Sequence, residues 1–105
     1  VHIHDVCRSF KFLIDNWDAC KDDTYNLGHD AMNMNKLQLA QKIQEHTPLE
    51  IIKAEFTKDP DVRDYTVSSQ KIYDKGYMCY HDLDDGIREL KMTYTMIDAP
   101  WYGNY

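Results

Sequence analysis

The sequence predicts a mixed chain of short strands and about four helices, of the α/β or α+β class. Three kinds of observation predict it. Short strand-like runs occur at Val1–His4, Thr24–Leu27 and Ile52–Phe56. Between them, apolar residues recur three and four apart, as on one face of a helix. Glycine, proline and charged turns punctuate the boundaries.

Taken in order, Val1-His2-Ile3-His4 alternates apolar and polar residues, as the end of a strand does. Asp5 offers an N-cap carboxylate, and Val6, Phe10, Leu13 and Trp17 form the apolar face of a helix ending near Asp18–Cys20. Lys21-Asp22-Asp23 is a turn, and Thr24–Leu27 a short strand stopped by Gly28. A polar loop leads to Asn35, the expected cap of a helix carrying Met34, Leu37, Ala40 and Ile43, which Pro48 ends. Ile52, Ala54 and Phe56 alternate with Lys53 and Glu55 as a half-buried strand. The charged loop Thr57–Asp64 leads to an extended piece at Tyr65–Val67. Ser68 or Ser69 then caps a short helix through Ile72 and Tyr73, with Gly76 at its C′ position. Asp82 caps the last helix, whose stripe is Leu83, Ile87, Leu90, Tyr94 and Ile97, before Pro100 and an aromatic tail.

At 105 residues the chain suffices for one small domain. Its opening on Val1 rather than Met predicts a piece of a longer or processed product. With 18 acidic against 12 basic residues, the net charge of −6 argues against nucleic acid as a bulk partner. A single phosphate-bearing ligand stays compatible, because a few local cations suffice for one. The apolar runs are too short for a membrane span or a signal peptide. Cys7, Cys20 and Cys79 are an odd set without C-x-x-C spacing, which predicts reduced thiols in a cytoplasmic protein.

His2 and His4 flank Ile3 at strand spacing and share a face. Two such imidazoles can converge on a metal, but no third ligand stands at a recognisable spacing, so no metal is expected. Cys7 and Cys20 have no adjacent histidine base, which removes a nucleophilic role. Asp82, Asp84 and Asp85 lack a closing glutamate for calcium, and helix capping accounts for them.

Five strings in order resemble the C-terminal, substrate-binding part of extended short-chain dehydrogenase/reductases, the NAD-dependent epimerase/dehydratase family. They are Val1-His2-Ile3-His4-Asp5-Val6, Tyr25-Asn26-Leu27-Gly28, Leu37-x-Leu39-Ala40-x-x-Ile43, Arg63-Asp64-Tyr65-x-Val67-Ser68-x-x-Lys71-Ile72 and Leu83-Asp84-Asp85-Gly86-Ile87. The resemblance runs from Val1 to about Ile97 and implies the α/β class. It implies residues 1–28 as a strand–helix–strand unit completing a parent sheet, 29–99 as a small substrate lobe, and 100–105 as a tail. It also implies a missing N-terminal Rossmann half that holds NAD(P), and a nucleoside-diphosphate sugar as substrate.

By that resemblance Arg63 and Lys58 meet the diphosphate, where a guanidinium forks onto two oxygens and a lysine offers only a point charge. His2, Tyr25 and Asn26 line the substrate. Each has a plainer reading: solvated loop charges paired with Asp59, Asp61 and Asp64, or packing within a strand. Gly28, Gly76, Gly86 and Gly103 cannot build a glycine-rich phosphate turn, and none of the eight tyrosines has a lysine four residues on. The chain alone is therefore expected to bind no NAD(P) and to be inactive. The competing reading is a stand-alone, non-catalytic binding or interaction module on the same scaffold.

Overall fold

The computed structural model describes residues 1–52 and 65–97. Among these residues there are five α-helices and a 3-10 turn, and no strand or sheet. The helices are α1 (Ile3–Asp15), α2 (Trp17–Cys20), α3 (Lys36–Gln44), α4 (Gln70–Tyr73) and α5 (Leu83–Met96), with the turn at Asp30–Met32. The α/β expectation is therefore wrong for the chain as it stands. A strand requires a neighbour to complete its ladder, and the segments read as strands find side chains instead.

The first such segment is helical almost from its start. His2 is the N-cap of α1, and its Nδ1 accepts the His4 amide at 3.2 Å. Asp5, expected as the cap, lies in the first turn and faces inward. Asn16 interrupts the helix, its side-chain amide donating to the Phe12 carbonyl at 2.9 Å, before α2 completes the run to Cys20. Asp22 then turns the chain with a φ of 63°, a left-handed conformation that aspartate tolerates.

Thr24–Leu27 forms no ladder. The Asn26 side chain donates to the Ser68 carbonyl at 3.3 Å, and the Tyr73 hydroxyl donates to the Gly28 carbonyl at 2.5 Å. Val67, expected in an extended piece, pairs with one amide side chain rather than a strand. Asn33 donates to its carbonyl at 2.8 Å and accepts its amide at 3.0 Å. Ile52 is 80 % exposed and in no strand. The rest of that expected strand, the charged loop to Asp64 and the tail from Asp98 lie outside the described residues.

Helix boundaries follow their caps. Asn35 and Gln38 form a capping box at α3, and Asp82 and Asp85 another at α5. At the end of α4, the Tyr77 amide donates to the Ile72 carbonyl and the Gly76 amide to the Tyr73 carbonyl, the paired bonds of a Schellman motif. Gly76 supplies the required positive φ, 97°.

The core is small. Ile72, Tyr77 and Cys79 are buried together, with Phe12, Leu13, Tyr25, Leu27 and Tyr73 packed around them. Elsewhere the expected apolar faces are uncovered. Phe10 and Trp17 on the α1 side, and Leu90, Tyr94 and Ile97 at the α5 end, are all more than half exposed. Among the described residues no helix is long and apolar enough to cross a membrane.

Candidate functional site

The densest polar constellation is built around Asp5. Its side chain is wholly buried, and its carboxylate accepts the Arg8 guanidinium at 2.7 Å, the Tyr80 amide at 3.2 Å and the His81 amide at 2.9 Å. The His81 ring brings Nδ1 to 3.2 Å from Asp5 Oδ2 without hydrogen-bond alignment, so that contact is electrostatic. From the core side, the Tyr77 hydroxyl donates to the Asp5 backbone carbonyl at 2.5 Å. The Arg8 guanidinium also lies 4.0 Å above the Tyr80 ring.

Electrostatics follow from this packing. Burial raises the Asp5 pKa, but the His81 and Tyr80 amides and the His81 ring outweigh it and hold the carboxyl below its ordinary value. Asp5 is thus a fixed anion, not a proton acceptor tuned toward neutral pH. Burial, with the neighbouring Cys79 and Asp5, pushes the Tyr77 phenol up to about 12. Burial, with Asp5 beside it, also raises the Cys79 thiol, which suits an inert core cysteine.

Asp5 holds His81, which stands in a group of imidazoles. His2 and His81 stack with ring centroids 4.5 Å apart, and His4 stands edge-on to them at 5.0 and 5.4 Å. One ligand nitrogen from each lies within 4.8 Å of the other two. Glu89 of α5 borders the group, its carboxylate 3.2 Å from His2 Nε2 and 4.0 Å from His4 Nδ1.

A second cluster joins the end of α3 to the start of α5. Asp84 bonds the His46 ring and lies 3.0 Å from the Lys42 ammonium, which also meets Glu45 at 2.7 Å. A lysine charge already occupies this ring of donors, so it reads as a tie between two helices.

Among the described residues, those expected from sequence do not assemble into one site. His2 belongs to the imidazole group. Tyr25 donates to the Cys20 carbonyl at 3.4 Å beneath the Lys71 ammonium, and Asn26 bonds Ser68. Lys58 and Arg63 lie outside the described residues. Tyr25 does line a half-open cleft of about 190 Å³ with Leu13 and Trp17, rimmed by Lys21 and Asp23. That is below the roughly 300 Å³ at which small-molecule pockets begin. Sequence reasoning missed Asp5 as a hub, and His81 and Glu89 as neighbours of His2 and His4. The fold brings these together across 75 or more positions, a separation that local spacing does not reveal.

No family model matches the chain, and no solved structure matches it.

Proposed function

We propose that the chain is the substrate-side portion of an NAD(P)-dependent nucleotide-sugar epimerase, dehydratase or reductase, gripping the nucleoside-diphosphate sugar. The observation that supports the reading is that several of its family-like strings lie close together, as where Asn26 bonds Ser68, Lys42 pairs with Asp84 and His2 lies against Gly86. Asp5 of the first string binds Tyr80 and His81, just before the last. Asn26 and Gly28 of the second bond Ser68 and Tyr73, within and just beyond the fourth. Asp84 of the last meets Lys42 and His46, in and just beyond the third. Chance strings have no reason to be mutual contacts. The reading rests on these strings.

The described glycines offer no phosphate turn for NAD(P). Gly76 closes α4, Gly86 lies inside α5 beside the His2 ring, and Gly28 receives the Tyr73 hydroxyl, so these glycines form no phosphate turn. No redox step is drawn for this chain. Its part is to hold the diphosphate through Arg63 and Lys58, with Tyr25 and Asn26 toward the substrate.

Amide-resolved NMR of the chain, titrated with UDP- and dTDP-sugars, tests this. Saturable shifts are expected at Tyr25, Asn26 and the loop containing Lys58 and Arg63. A charge-assisted contact contributes about 1.5–3 kcal/mol, so Arg63→Ala should weaken binding roughly 10- to 100-fold, with Arg63→Lys between. Shifts that do not saturate at millimolar ligand, or an Arg63→Ala chain that binds like the native one, would sink the reading.

A further inference from the structure

We propose that His2, His4 and His81, with Glu89, form a divalent-metal site of the zinc class, with Asp5 as the carboxylate that orients His81. The donor set decides the class. Three imidazoles and a carboxylate suit zinc and the late first-row metals that precede it, whereas calcium and magnesium want oxygens alone.

The geometry is close to what such an ion needs. The three ligand nitrogens lie within 4.8 Å of one another. Tetrahedral zinc, with bonds of about 2.0–2.1 Å, sets its nitrogens roughly 3.3 Å apart, so each ring must close by an ångström or so. The His4 side chain is 60 % exposed and free to swing. Glu89 already brings its oxygens to 3.2 and 4.0 Å from His2 and His4, where a fourth ligand belongs.

The surroundings are those of a metal-binding histidine. Ligating imidazoles usually turn their other nitrogen toward a carboxylate, which fixes ring and tautomer. His81 does so: Nδ1 faces buried Asp5, and the His81 amide is tied to the same carboxylate, which leaves Nε2 for the ion. That Nδ1 is buried and makes no hydrogen bond as it stands. A small ring rotation toward an ion at Nε2 can bring it into line. Charge points the same way. Two carboxylates border the three rings, and the nearby guanidinium of Arg8 is engaged by Asp5 and Tyr80. Among the described residues, the Glu89 carboxylate pairs with the His2 and His4 rings. Binding displaces the His4 amide from the His2 ring and replaces that helix cap with a metal clamp between the start of α1 and α5.

The test uses the whole untagged chain, stripped of metal, titrated with Zn²⁺ against a chromophoric chelator and separately with Co²⁺. We expect one zinc per chain with a dissociation constant near or below about 1 μM, and the intense visible bands of tetrahedral Co²⁺. Zinc at about 100 times that constant should raise the melting temperature by roughly 10–20 °C. His81→Ala should weaken binding more than about 10-fold, and Asp5→Asn by about 10- to 100-fold. Because those two changes reach the buried hub, His4→Ala provides a variant at an exposed ring, and it too should lose at least about 10-fold. The proposal is overturned by any of three results. One is no saturable 1:1 binding below about 100 μM. Another is a weak octahedral Co²⁺ spectrum. The third is native affinity in His81→Ala or His4→Ala, which would mean that residues near the amino terminus bind the ion without the folded site.

Discussion

The start of α1 and the far half of α5 invert the usual distribution of polarity. Around Asp5 the fold buries a carboxylate, a serine and the polar end of a tyrosine, and each has a hydrogen-bond partner. Along α5 beyond Ile87, Leu90, Tyr94 and Ile97 keep helical spacing yet stand more than half exposed. Ile3, Phe10, Ile14 and Trp17 do the same on the outer side of the first helical run. Burial of apolar area is the main favourable term in folding, so the second region contributes little of it. The polar hub therefore bears an unusual share of the work of joining residues distant in sequence. Here the well-connected region is polar and the apolar one is idle.

The sharpest way to break this contrast is Asp5→Ala. It would leave the Tyr80 and His81 amides and part of the Arg8 guanidinium without their acceptor. Arg8 is 41 % exposed and can turn to water, but two part-buried amides lose their acceptor at about 1–3 kcal/mol each, a large share of the 5–15 kcal/mol typical of a domain. Urea unfolding followed by circular dichroism should show the variant largely unfolded in water. A midpoint within experimental error of the native one would mean that the hub is ornamental.

The pH dependence sharpens the same point from both sides. The Asp5 carboxyl lies below its ordinary 3.8 in the fold, so its contribution is complete above that pH and is lost as pH falls through the folded value. Tyr77 has the opposite sign. Its phenol is raised from 10.0 to about 12, so its contribution is complete below pH 10 and is lost as pH rises toward 12. A shift of that size corresponds to about 2–3 kcal/mol. Tyrosinate absorbance should therefore show Tyr77 ionising last and together with unfolding, beyond Tyr25 and Tyr73, whose burial also raises them, and Tyr77→Phe should remove that last step. If all the phenols ionise near 10 while the fold persists, the burial argument fails.

How much of this was legible depends on whether the determining contacts are local. Asn35, Asp82, the Ser68–Ser69 start of α4 and the Gly76 stop were readable, because a cap is settled within four residues and its chemistry is specific. The strands were misread because alternation records only a tendency. Val1–His4 and Thr24–Leu27 meet no ladder here: the His4 amide is taken by the His2 ring in a helix cap, and around the second segment the Asn26 side chain bonds Ser68 and the Tyr73 hydroxyl bonds Gly28. The apolar stripes were legible as stripes, but periodicity does not say whether anything covers them. Of the candidate site, the His2–His4 pair stood in plain view. Its third imidazole did not, since His81 comes to it through the folding of Asp5 onto residues 80 and 81.

A smaller effect separates the hub from the periphery. Helix α3 buries none of its own residues, so its order depends on the Asn35–Gln38 box and the tie to Asp84. Asn35→Ala should cost about 1 kcal/mol, and most of it should stay local. Amide exchange at Leu37–Leu39 should speed up several-fold while amides of α1 hold their protection. A matching loss across α1 would instead mean that α3 and the hub unfold as one unit.

The smallest expected change in stability comes from the idle region itself. Leu90 and Tyr94 lie four apart on α5, 57 % and 77 % exposed, so lysines there remove few contacts within the chain. Exposed substitutions of this kind usually fall within about 0.5 kcal/mol. Their effect should appear between chains. Contiguous exposed apolar faces favour association, so the native chain should sediment as a concentration-dependent mixture, and the double Leu90→Lys, Tyr94→Lys chain should shift toward monomer. Trp17, 61 % exposed on the first helical run, offers a second probe, because its emission should move to the blue with concentration only if that face is covered too. Two results would break the comparison with which the molecule was divided. A native chain that stays monomeric over a roughly hundredfold concentration range would show that the exposed stripes are not adhesive. A double variant that loses more than about 1 kcal/mol would show that the stripe was supporting the fold after all, and that the polar hub does not carry it alone.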